Sequence, residues 1–424
     1  MTEEVTERMD RERLRAAQWI KLEGILRTVA SCGGFYARKL GADGASIPMD
    51  LGCYTEKVPL TCKAELLEDR LSYPPFGSNL TEPLANYTRF CQTSGTSTGQ
   101  PMAWLDTPRS WESMLDCWRR VYEAAGLVPK VDRLFFAFSF GPFLGFWTAF
   151  EAGATDYLVI PGGGLSSQGR LQAMARYGAT VLCCTPTYAL RLGEQIGAAS
   201  GVERGQLCVR KIIVAGEAGG SVPAVREKIA RLWGADVFDH HGMTEVGPVT
   251  YELPGHPGTL AVIEEAYLAE VIDPKTGAEV PEGECGELIL TTLDRTACPL
   301  LRYRTGDWVR KRLHGGRLCL EGGILSRVDD MVVVRGVNVY PSAVEEIVRQ
   351  FGEVEEFLVE SHKIDEMDEL RLRIELADGA DVAVARKLEA RLKEAFSLRI
   401  PVILEAAQSL PRHEFKARRW KVGT

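Results

Sequence analysis

The sequence predicts an α/β fold with a large N-terminal domain, made of layered α/β subdomains and a β-rich subregion, and a small α+β C-terminal domain. Short apolar runs that end in Gly or Pro lead repeatedly into segments with helical periodicity, a rhythm typical of α/β layering. From about Glu264 the sequence changes to strand-like runs with turn signals, and a mixed stretch follows Asp329. We therefore expect domains over residues 1–328 and 329–424.

The first layers should contain a sheet that helices cover on both faces. Its candidate strands include YLVIP, TVLCC and KIIVAG, which begin at Tyr157, Thr180 and Lys211. Such strands carry almost no charge, as is required where neither face of a sheet meets water. Each is followed by a segment with helical periodicity, and we expect strand and helix to alternate here.

The longest uncharged run, from Leu134 to Phe150, is at the short limit for crossing a bilayer. It is interrupted by Gly141, Pro142 and Gly145, which fit a turn better than a membrane helix. We predict a buried strand, a turn and a buried helix at this place, and no membrane as a partner.

The C-terminal stretch begins with a strand, a glycine turn and a helix that opens at Pro341. Ser342 and Glu345 have the spacing of a capping box at the start of that helix. Two strands, a helix in VAVARKLEARLKEAF and a last strand in RIPVILEA follow, enough for a small domain.

Composition and charge exclude several classes of protein. The chain has 424 residues, too many for one small disulfide-stabilised domain. Its 50 Lys and Arg against 58 Asp and Glu give a net charge of −8, which disfavours nucleic acid as the main partner. The 11 cysteines are irregularly spaced and indicate free thiols in a reducing compartment. The opening residues alternate acid and base without an apolar core, so we expect a cytoplasmic protein without a leader peptide.

The loop TSGTSTGQP, which begins at Thr93, is the most informative segment. Its glycines allow close backbone approach, and its amides and hydroxyls could close around phosphate oxygens. No Gly-Lys-Ser/Thr follows, so this is not a Walker loop. The same residues also populate ordinary solvated turns.

Four further segments have both a functional and an ordinary interpretation. Glu245 in HHGMTEVG could bind a cation or simply begin a helix, and Asp307 in YRTGD could bind a ligand or cap a turn. Asp329 in SRVDD could lie in a charged interdomain turn. Lys416 in LPRHEFKARR could belong to a basic tail.

Together, in this order and at these separations, the five segments resemble the acyl-adenylate-forming (ANL) superfamily, and best of all its phenylacetate-coenzyme A ligase family. The resemblance extends over VPLTCKAELLED, YPPFG, LVIPGGG, LCCTPTYAL, AGEAGG and PLLRYRTGD, and thus over nearly the whole chain. It implies the adenylate-forming fold with a mobile C-terminal lid domain. It also implies an ATP-dependent, AMP-forming ligase that activates an aryl or arylacetic acid as an acyl adenylate and transfers it to coenzyme A. The implied cofactors are ATP, Mg²⁺ and coenzyme A, in a monomer or homodimer.

The resemblance implies residue roles by matching position. Lys416, Glu245 and Arg327 would be catalytic, with Glu245 also binding Mg²⁺ and Asp329 acting as the hinge. Coenzyme A would approach Arg335 and Gly336. The nucleotide would contact Thr93, Ser94, Gly95, Thr96, Ser97, Thr98, Gly99, Glu217, Ala218, His241, Gly242, Met243, Thr244, Asp307 and Arg327. The acyl pocket would be lined by Phe138, Ser139, Phe140, Gly141, Pro142, Ala215 and Gly216.

Three residues depart from the family's pattern. His241 stands where many relatives carry Tyr, Ser326 replaces a Gly, and Phe415 replaces a Gly before the lysine. Phe415 would stiffen a loop that has to move. A catalytically weak nucleotide-binding homologue therefore stays open as an alternative, as does an adenylation enzyme that serves a carrier protein or an amine.

A metal other than magnesium is a lesser alternative. Some relatives carry a Cys/His cluster in the region of His256, Cys285, Cys298 and Cys319. Their spacing fits no zinc finger or ribbon, and free buried cysteines are the expected outcome.

Overall fold

A five-stranded parallel sheet organises the first half of the chain. The computed structural model describes residues 3–41, 48–93, 101–328, 332–334, 337–364, 367–412 and 419–421. Its helices are α1 Glu3–Ser31, α2 Phe35–Leu40, α3 Leu51–Lys57, α4 Lys63–Ser72, α5 Pro108–Ala124, α6 Leu144–Asp156, α7 Ser167–Tyr177, α8 Pro186–Glu194, α9 Pro223–Trp233, α10 Pro341–Arg349 and α11 Ala383–Phe396.

The strands of the described residues are β1 Arg89–Gln92, β2 Ala103–Asp106, β3 Arg133–Phe136, β4 Leu158–Pro161, β5 Val181–Cys184, β6 Lys211–Ala215, β7 Asp236–His240, β8 Gly242–Met243, β9 Gly247–Pro248, β10 Thr250–Glu252, β11 Thr259–Val262, β12 Tyr267–Ile272, β13 Cys285–Thr292, β14 Tyr303–His314, β15 Arg317–Arg327, β16 Val332–Val334, β17 Val337–Val339, β18 Val354–Ile364, β19 Met367–Leu376, β20 Val402–Leu404 and β21 Trp420–Lys421. They form the parallel sheet with the order β4-β3-β5-β6-β7, a six-stranded antiparallel sheet with the order β10-β11-β15-β14-β13-β12, a four-stranded sheet with the order β20-β19-β18-β21, and three two-stranded ribbons.

The parallel sheet is buried on both faces, as the apolar strands predict. Alternate residues of β5 enter different cores: Leu182 packs with α7, α8 and α9, and Cys183 packs with α5 and α6. This follows from the two-residue period of a strand. The six-stranded sheet has its own core, to which α1 contributes Leu22 and Leu26. The predicted α/β class is thereby confirmed.

Local sequence explains where the helices of the parallel layer begin and end. Pro186 opens α8, and the hydroxyl of Thr185 accepts a hydrogen bond from the backbone N–H of Tyr188. Gly178 ends α7 and Gly234 ends α9, both in the left-handed conformation that glycine adopts without strain.

One strand differs from its expected environment. The YLVIP segment forms β4 at the edge of the sheet, where Leu158 is 60% exposed, so the expectation that this strand is buried on both faces is wrong. Its apolar composition does not reveal strand order, because an edge strand and a central strand can have the same residues. The run from Leu134 to Phe150 contains β3 and the start of α6, as predicted.

The C-terminal part has a core of its own, which lies between residues 332 and 420. There α10 and α11 pack on the sheet through Val344 and Leu388. Helix α10 begins at Pro341, as predicted. The prediction of a capping box formed by Ser342 and Glu345 is wrong. The Ser342 hydroxyl donates to the carbonyl of Leu325 instead, and Glu345 pairs with Arg349.

Candidate active site

Three sets of predicted site residues meet at the carboxyl edge of the parallel sheet. Phe138 to Pro142 follow β3, Ala215 to Ala218 span the end of β6, and His241 to Glu245 follow β7. Open α/β sheets bind ligands at this edge. The aromatic segment is tied to β1, since the Gln92 N–H donates to the Pro142 carbonyl at 2.7 Å, and α6 contacts β8 and β9. The structure therefore brings these segments together.

The Ser/Thr/Gly loop joins β1 to β2. Of its residues, the structure describes Thr93 and Pro101. The Thr93 hydroxyl accepts from the Met102 N–H at 2.9 Å, and the Thr93 N–H donates to the Met102 carbonyl at 3.0 Å. Thr93 thus closes the base of the loop through its backbone and side chain. Ser94, Gly95, Thr96, Ser97, Thr98 and Gly99 lie outside the described residues.

Thr244 and Glu245 lie in the turn between β8 and β9, and not at the start of a helix. Gly242 pairs with Pro248 across this hairpin, and Met243 packs partly against the core beneath it. Gly247 has a φ of +102°, and a Cβ there would meet the Met114 sulfur at 3.0 Å. The tight approach of the hairpin to α5 therefore requires glycine at this position.

A buried ion pair supports the turn from behind. The Arg295 guanidinium donates to both carboxylate oxygens of Asp106, at 2.7 and 2.6 Å. Its third nitrogen donates to the carbonyls of Thr244 and Glu245, at 2.7 and 2.9 Å. The side chains of Arg295 and Asp106 are each only 1% exposed. A planar fork fixed by two carboxylate bonds holds those two carbonyls in place.

The Glu245 carboxylate contacts helix α4. Its Oε1 lies 3.1 Å from the Lys63 ammonium nitrogen, at the first residue of α4. The Glu245 side chain is 9% exposed, and Lys63 neutralises part of its charge. Magnesium commonly binds one or two protein carboxylates together with substrate phosphates. Glu245 fits that donor set as a single ligand.

Asp307 joins three segments of the site. Its Oδ1 accepts from Arg327 at 2.5 Å, and its Oδ2 lies 3.2 Å from His241 Nε2. Within the part of the chain that the structure describes, neither Oδ2 nor Nε2 has a hydrogen-bond partner of good geometry, although both are buried. A ligand hydroxyl would satisfy the Oδ2 atom, so the residues present fit a ribose.

The charges around Asp307 keep it ionised. Burial alone would raise the pKa of Asp307, but Arg327 and His241 outweigh it and lower the pKa to about 2. Gly306, with a φ of +74°, gives Arg327 its access, since a Cβ there would lie 2.6 Å from the guanidinium. Asp307 is therefore a preformed hydrogen-bond acceptor.

The two adjacent histidines have different environments. His240 is buried against Trp118, with ring centroids 4.4 Å apart, and its Nδ1 lies 2.6 Å from the Thr250 carbonyl. Burial lowers the pKa of His240 to about 4. His240 is thus neutral and structural near neutral pH, whereas His241 faces Asp307.

Glu217 lies beside α8. Its Oε1 accepts from the Thr187 N–H at 2.7 Å, in the first turn of α8. A carboxylate at a helix N-terminus is favourable because it binds free N–H groups. The neighbouring Gly216 and Ala218 are exposed, so a flat ligand could reach this segment.

The predicted acyl pocket is aromatic. The rings of Phe138 and Phe146 stack with centroids 4.3 Å apart, and Phe140 meets Trp147 edge-on at 5.2 Å. Phe140 has a φ of +52°, which is uncommon for a bulky residue and is concentrated at functional loops. The Trp147 indole N–H donates to the Gly141 carbonyl at 3.0 Å and holds this loop against α6. Ser139 is exposed and Ala215 is half-buried.

The boundary between the two parts of the chain lies next to Asp307. The Trp308 indole N–H donates to the Tyr340 hydroxyl at 3.0 Å, and their rings are nearly parallel. Four predicted residues of the C-terminal region lie outside the described residues, namely Asp329, Arg335, Gly336 and Lys416.

The cysteines do not form a metal centre in the part of the chain that the structure describes, where no group of three or more His, Cys, Asp or Glu could hold an ion. All 11 cysteines are free. Cys298 is buried, and the Asn79 amide approaches its sulfur at 3.7 Å. Burial raises the pKa of Cys298 to about 12, so it remains a thiol.

Sequence reasoning missed Lys63, Asp106 and Arg295. All three lie within or beside segments that carry the family resemblance, but their partners are distant along the chain. A buried Arg–Asp pair separated by 189 positions leaves no periodic signal.

No described helix of the chain combines the length and the apolar character that crossing a membrane requires.

The chain matches two protein families by sequence. Residues 86–292 match the AMP-binding enzyme family, and residues 336–421 match the AMP-binding enzyme C-terminal domain. Phenylacetate-coenzyme A ligase of Thermus thermophilus is 30% identical over 381 residues, which are 88% of this chain and 83% of the relative. The enzyme of the same name from Escherichia coli is 29% identical over 425 residues, 96% of this chain and 94% of the relative.

Solved structures of 2-hydroxyisobutyryl-CoA ligase resemble the fold over 97% of this chain. In the postadenylation state with 2-HIB-AMP, the TM-score is 0.87 at 26% identity, with 89% of that chain covered. In the thioesterification state with 2-HIB-AMP and CoA, the TM-score is 0.70 at 27% identity, with 90% covered. The arrangement seen here is thus more similar to the postadenylation state.

Proposed function

Because this chain belongs to the phenylacetate-coenzyme A ligase family, we propose that it activates an aryl or arylacetic acid as its acyl adenylate and transfers the acyl group to coenzyme A. ATP-dependent, AMP-forming ligation of an acid to coenzyme A is the reaction of this family. The aromatic nature of the acid, the residue roles and the acceptor in this chain are the proposal.

The aromatic cluster beside the hairpin turn carries the proposal for the substrate. Phe138 and Phe140 lie in the loop after β3, and Phe146 and Trp147 face them from α6. Aromatic rings prefer offset-stacked and edge-to-face contacts, which another aromatic ring can extend. Apolar walls with few polar groups favour an aryl acid over a highly charged one.

The proposed first step is an in-line displacement at the α-phosphorus of ATP. A carboxylate oxygen of the acid bonds to the α-phosphorus, the bond to the bridging oxygen breaks, and pyrophosphate leaves. Asp307 would accept hydrogen bonds from the ribose hydroxyls and fix the α-phosphate relative to Thr244. Lys416, outside the described residues, would bridge the acid and the α-phosphate.

Magnesium would neutralise the phosphate oxygens when bound, with Glu245 as its protein ligand. The turn held by Arg295 would keep that carboxylate in one position. The low exposure of Glu245 supports this assignment because it restricts the position of the carboxylate, and the Lys63 ammonium at Oε1 would have to give way to the cation.

The proposed second step is acyl transfer. The coenzyme A sulfur attacks the acyl carbon, the carbon–oxygen bond to AMP breaks, and the thiol proton is released. Arg335 and Gly336 would approach the pantetheine arm in this step. A carrier-protein thiol or an amine would react in the same manner, so the acceptor has to be tested directly.

The test is pyrophosphate release from ATP over a panel of benzoates, phenylacetates, cinnamates, short 2-hydroxy acids and fatty acids, each with and without coenzyme A. We expect an acyl-CoA from one aromatic acid, identified by mass. An adenylate without a thioester would move the acceptor to a carrier protein or an amine. ATP binding without turnover of any acid would favour the weak nucleotide-binding homologue.

A matched pair of variants tests the aromatic wall. Phe138→Leu should raise KM for the preferred aromatic acid about fivefold, since lost ring contacts are worth about 1 kcal/mol beyond burial. Tyr177→Leu is the control, because Tyr177 is 51% exposed at the end of α7, before the amino edge of β5. An equal change in both variants would exclude Phe138 from the pocket wall.

A further inference from the structure

Helix α9 lacks a side-chain cap of its own. Val222 occupies its N-cap position and makes no side-chain hydrogen bond to the helix. A valine cannot accept the free N–H groups of a first turn, which leaves them to other partners. In the structure, the Ala224 N–H donates to Glu346 Oε2 at 2.8 Å. A carboxylate from α10, in the C-terminal part of the chain, therefore caps a helix of the N-terminal part.

Glu346 is held in place on its own helix. Its second oxygen accepts from the Gln350 amide at 3.0 Å, one turn further along α10. The carboxylate thus reaches α9 from an ordered position. A negative charge at a helix N-terminus is favoured by the helix dipole as well as by the hydrogen bond.

Helix α8 receives a second contact from the C-terminal part. Arg419 donates to the Thr187 hydroxyl at 3.3 Å, in the first turn of α8. Glu356 fixes the guanidinium from its own domain, with hydrogen bonds of 2.5 and 3.1 Å. Glu345 lies 3.8 Å away and adds a second carboxylate.

Both contacts end at the edge of the sheet where the site lies. Helices α8 and α9 follow β5 and β6, so their N-termini are at the carboxyl edge. The Thr187 N–H is bound by Glu217, one of the residues expected to contact the nucleotide. Arg419 also closely follows the segment that contains Lys416 in the sequence.

We propose that Glu346 and Arg419 are positioning residues that hold the C-terminal domain in the orientation for adenylation. This inference rests on the proposed function, because it divides that reaction into its two steps. The structure is more similar to a postadenylation state than to a thioesterification state of a related ligase. In this proposal, the rotation that accompanies the second step would separate α10 from α9, so the two contacts would act in the first step and be broken in the second.

The test measures the two half-reactions separately in Glu346→Ala, Glu346→Gln, Arg419→Met and Arg419→Lys. Pyrophosphate exchange reports adenylation, and thioester formation from supplied acyl adenylate reports the second step. We expect Glu346→Ala to slow adenylation about three- to tenfold, as for loss of a helix cap, and to leave the second step unchanged or faster. Glu346→Gln and Arg419→Lys should recover part of the loss, since each keeps a hydrogen bond.

Glu353→Ala is the matched control. Glu353 is an exposed carboxylate shortly after the same helix, and its removal changes the net charge equally. An equal loss of both half-reactions in Glu346→Ala, or a loss as large in Glu353→Ala, would overturn the proposal.

Amide hydrogen exchange tests the contact without any substrate. The Ala224 amide should exchange faster in Glu346→Ala than in the parent chain, while amides in the middle of α9 should not change. Unchanged exchange would show that Glu346 does not cap α9, and the proposal would fail. If the parent chain converted no acid, the proposed function would fail, and the exchange result would still decide whether Glu346 caps α9.

Discussion

The turn at Thr244 and Glu245 and the carboxylate of Asp307 belong to one site, but their supports differ. The turn is held by Arg295 and Asp106, whose side chains are each 1% exposed. Asp307 is buried, but its partner Arg327 is 45% exposed and lies two residues before Asp329, the expected hinge. The Arg295–Asp106 pair is therefore excluded from water, whereas the Arg327 side of the Asp307 pair is partly exposed to it.

The difference teaches where this fold permits motion. A buried ion pair is costly to break, because each charge left behind is unsolvated. In the Asp307 pair one partner, Arg327, already contacts water, so opening it leaves only the Asp307 charge unsolvated and costs less than breaking the fully buried pair. We therefore expect the Glu245 side of the site to stay fixed, and the Asp307 side, together with the contacts of Glu346 and Arg419, to rearrange between the proposed steps.

Breaking the buried pair should have the largest effect. Asp106→Leu leaves the Arg295 charge buried and alone, so we expect about 3 to 5 kcal/mol of lost stability, measured by urea unfolding. Activity should fall with it, since the Thr244 and Glu245 carbonyls lose their fixed donor. Asp116→Leu is the control, because Asp116 is 67% exposed and its partner Arg119 is 32% exposed, so neither charge is left buried.

The double variant Asp106→Leu with Arg295→Met separates positioning from stability. Removing both charges should restore most of the unfolding free energy, but the carbonyls would still lack their donor. We expect a folded chain with a raised Mg²⁺ requirement and low adenylation. Recovery of adenylation together with stability would show that the pair has no positioning role.

Asp307→Asn should have an intermediate effect on ATP binding. An amide oxygen still accepts a hydrogen bond but carries no charge, so KM for ATP should rise about tenfold, as for loss of a charge-assisted bond. The measurement is initial rate against ATP concentration. Asp116→Asn is the control, since that side chain is 67% exposed.

The same variant should change acid stability. The pKa of Asp307 is lowered to about 2, so its ionised form stabilises the fold above about pH 4, and this contribution is lost as the pH falls through 2. The contribution is about 2 kcal/mol. Asp307→Asn should therefore lose less stability than the parent chain between pH 4 and 2, and identical acid unfolding curves would contradict the assignment.

Ser326→Ala should have the smallest effect on activity. The Ser326 hydroxyl is buried and has no hydrogen-bond partner among the residues that the structure describes. Removing an unsatisfied hydroxyl should be neutral or stabilise the chain by about 1 kcal/mol, with activity within twofold. A clear loss of stability would mean that the hydroxyl is bonded in solution.

Much of the fold could be predicted because it depends on local patterns. Apolar runs followed by helical periodicity located the strands and helices of the parallel layer, and proline and glycine marked several helix ends. The edge position of β4 could not be predicted, since strand order depends on pairing between distant segments. The capping box at Ser342 failed because the Leu325 carbonyl competes for its hydroxyl.

The candidate site also contains residues that the sequence predicted and residues that it could not predict. Segments that resemble the family led to Glu245, Asp307 and His241, which the structure brings to one place. The supports behind them, such as Arg295, depend on contacts between segments far apart in the sequence. The contact of Glu346 with α9 was equally hidden, because a valine at an N-cap position does not indicate which distant residue replaces it.

The contact between Trp308 and Tyr340 makes the fluorescence of the Trp308 indole sensitive to the position of Tyr340. The Trp308 indole is half-buried on β14, while Tyr340 precedes α10 in the C-terminal part. A rotation that carries Tyr340 away exposes the indole to water and shifts its emission to longer wavelength. The proposed rotation would therefore change the natural fluorescence of the protein, and it could be followed in real time without a label.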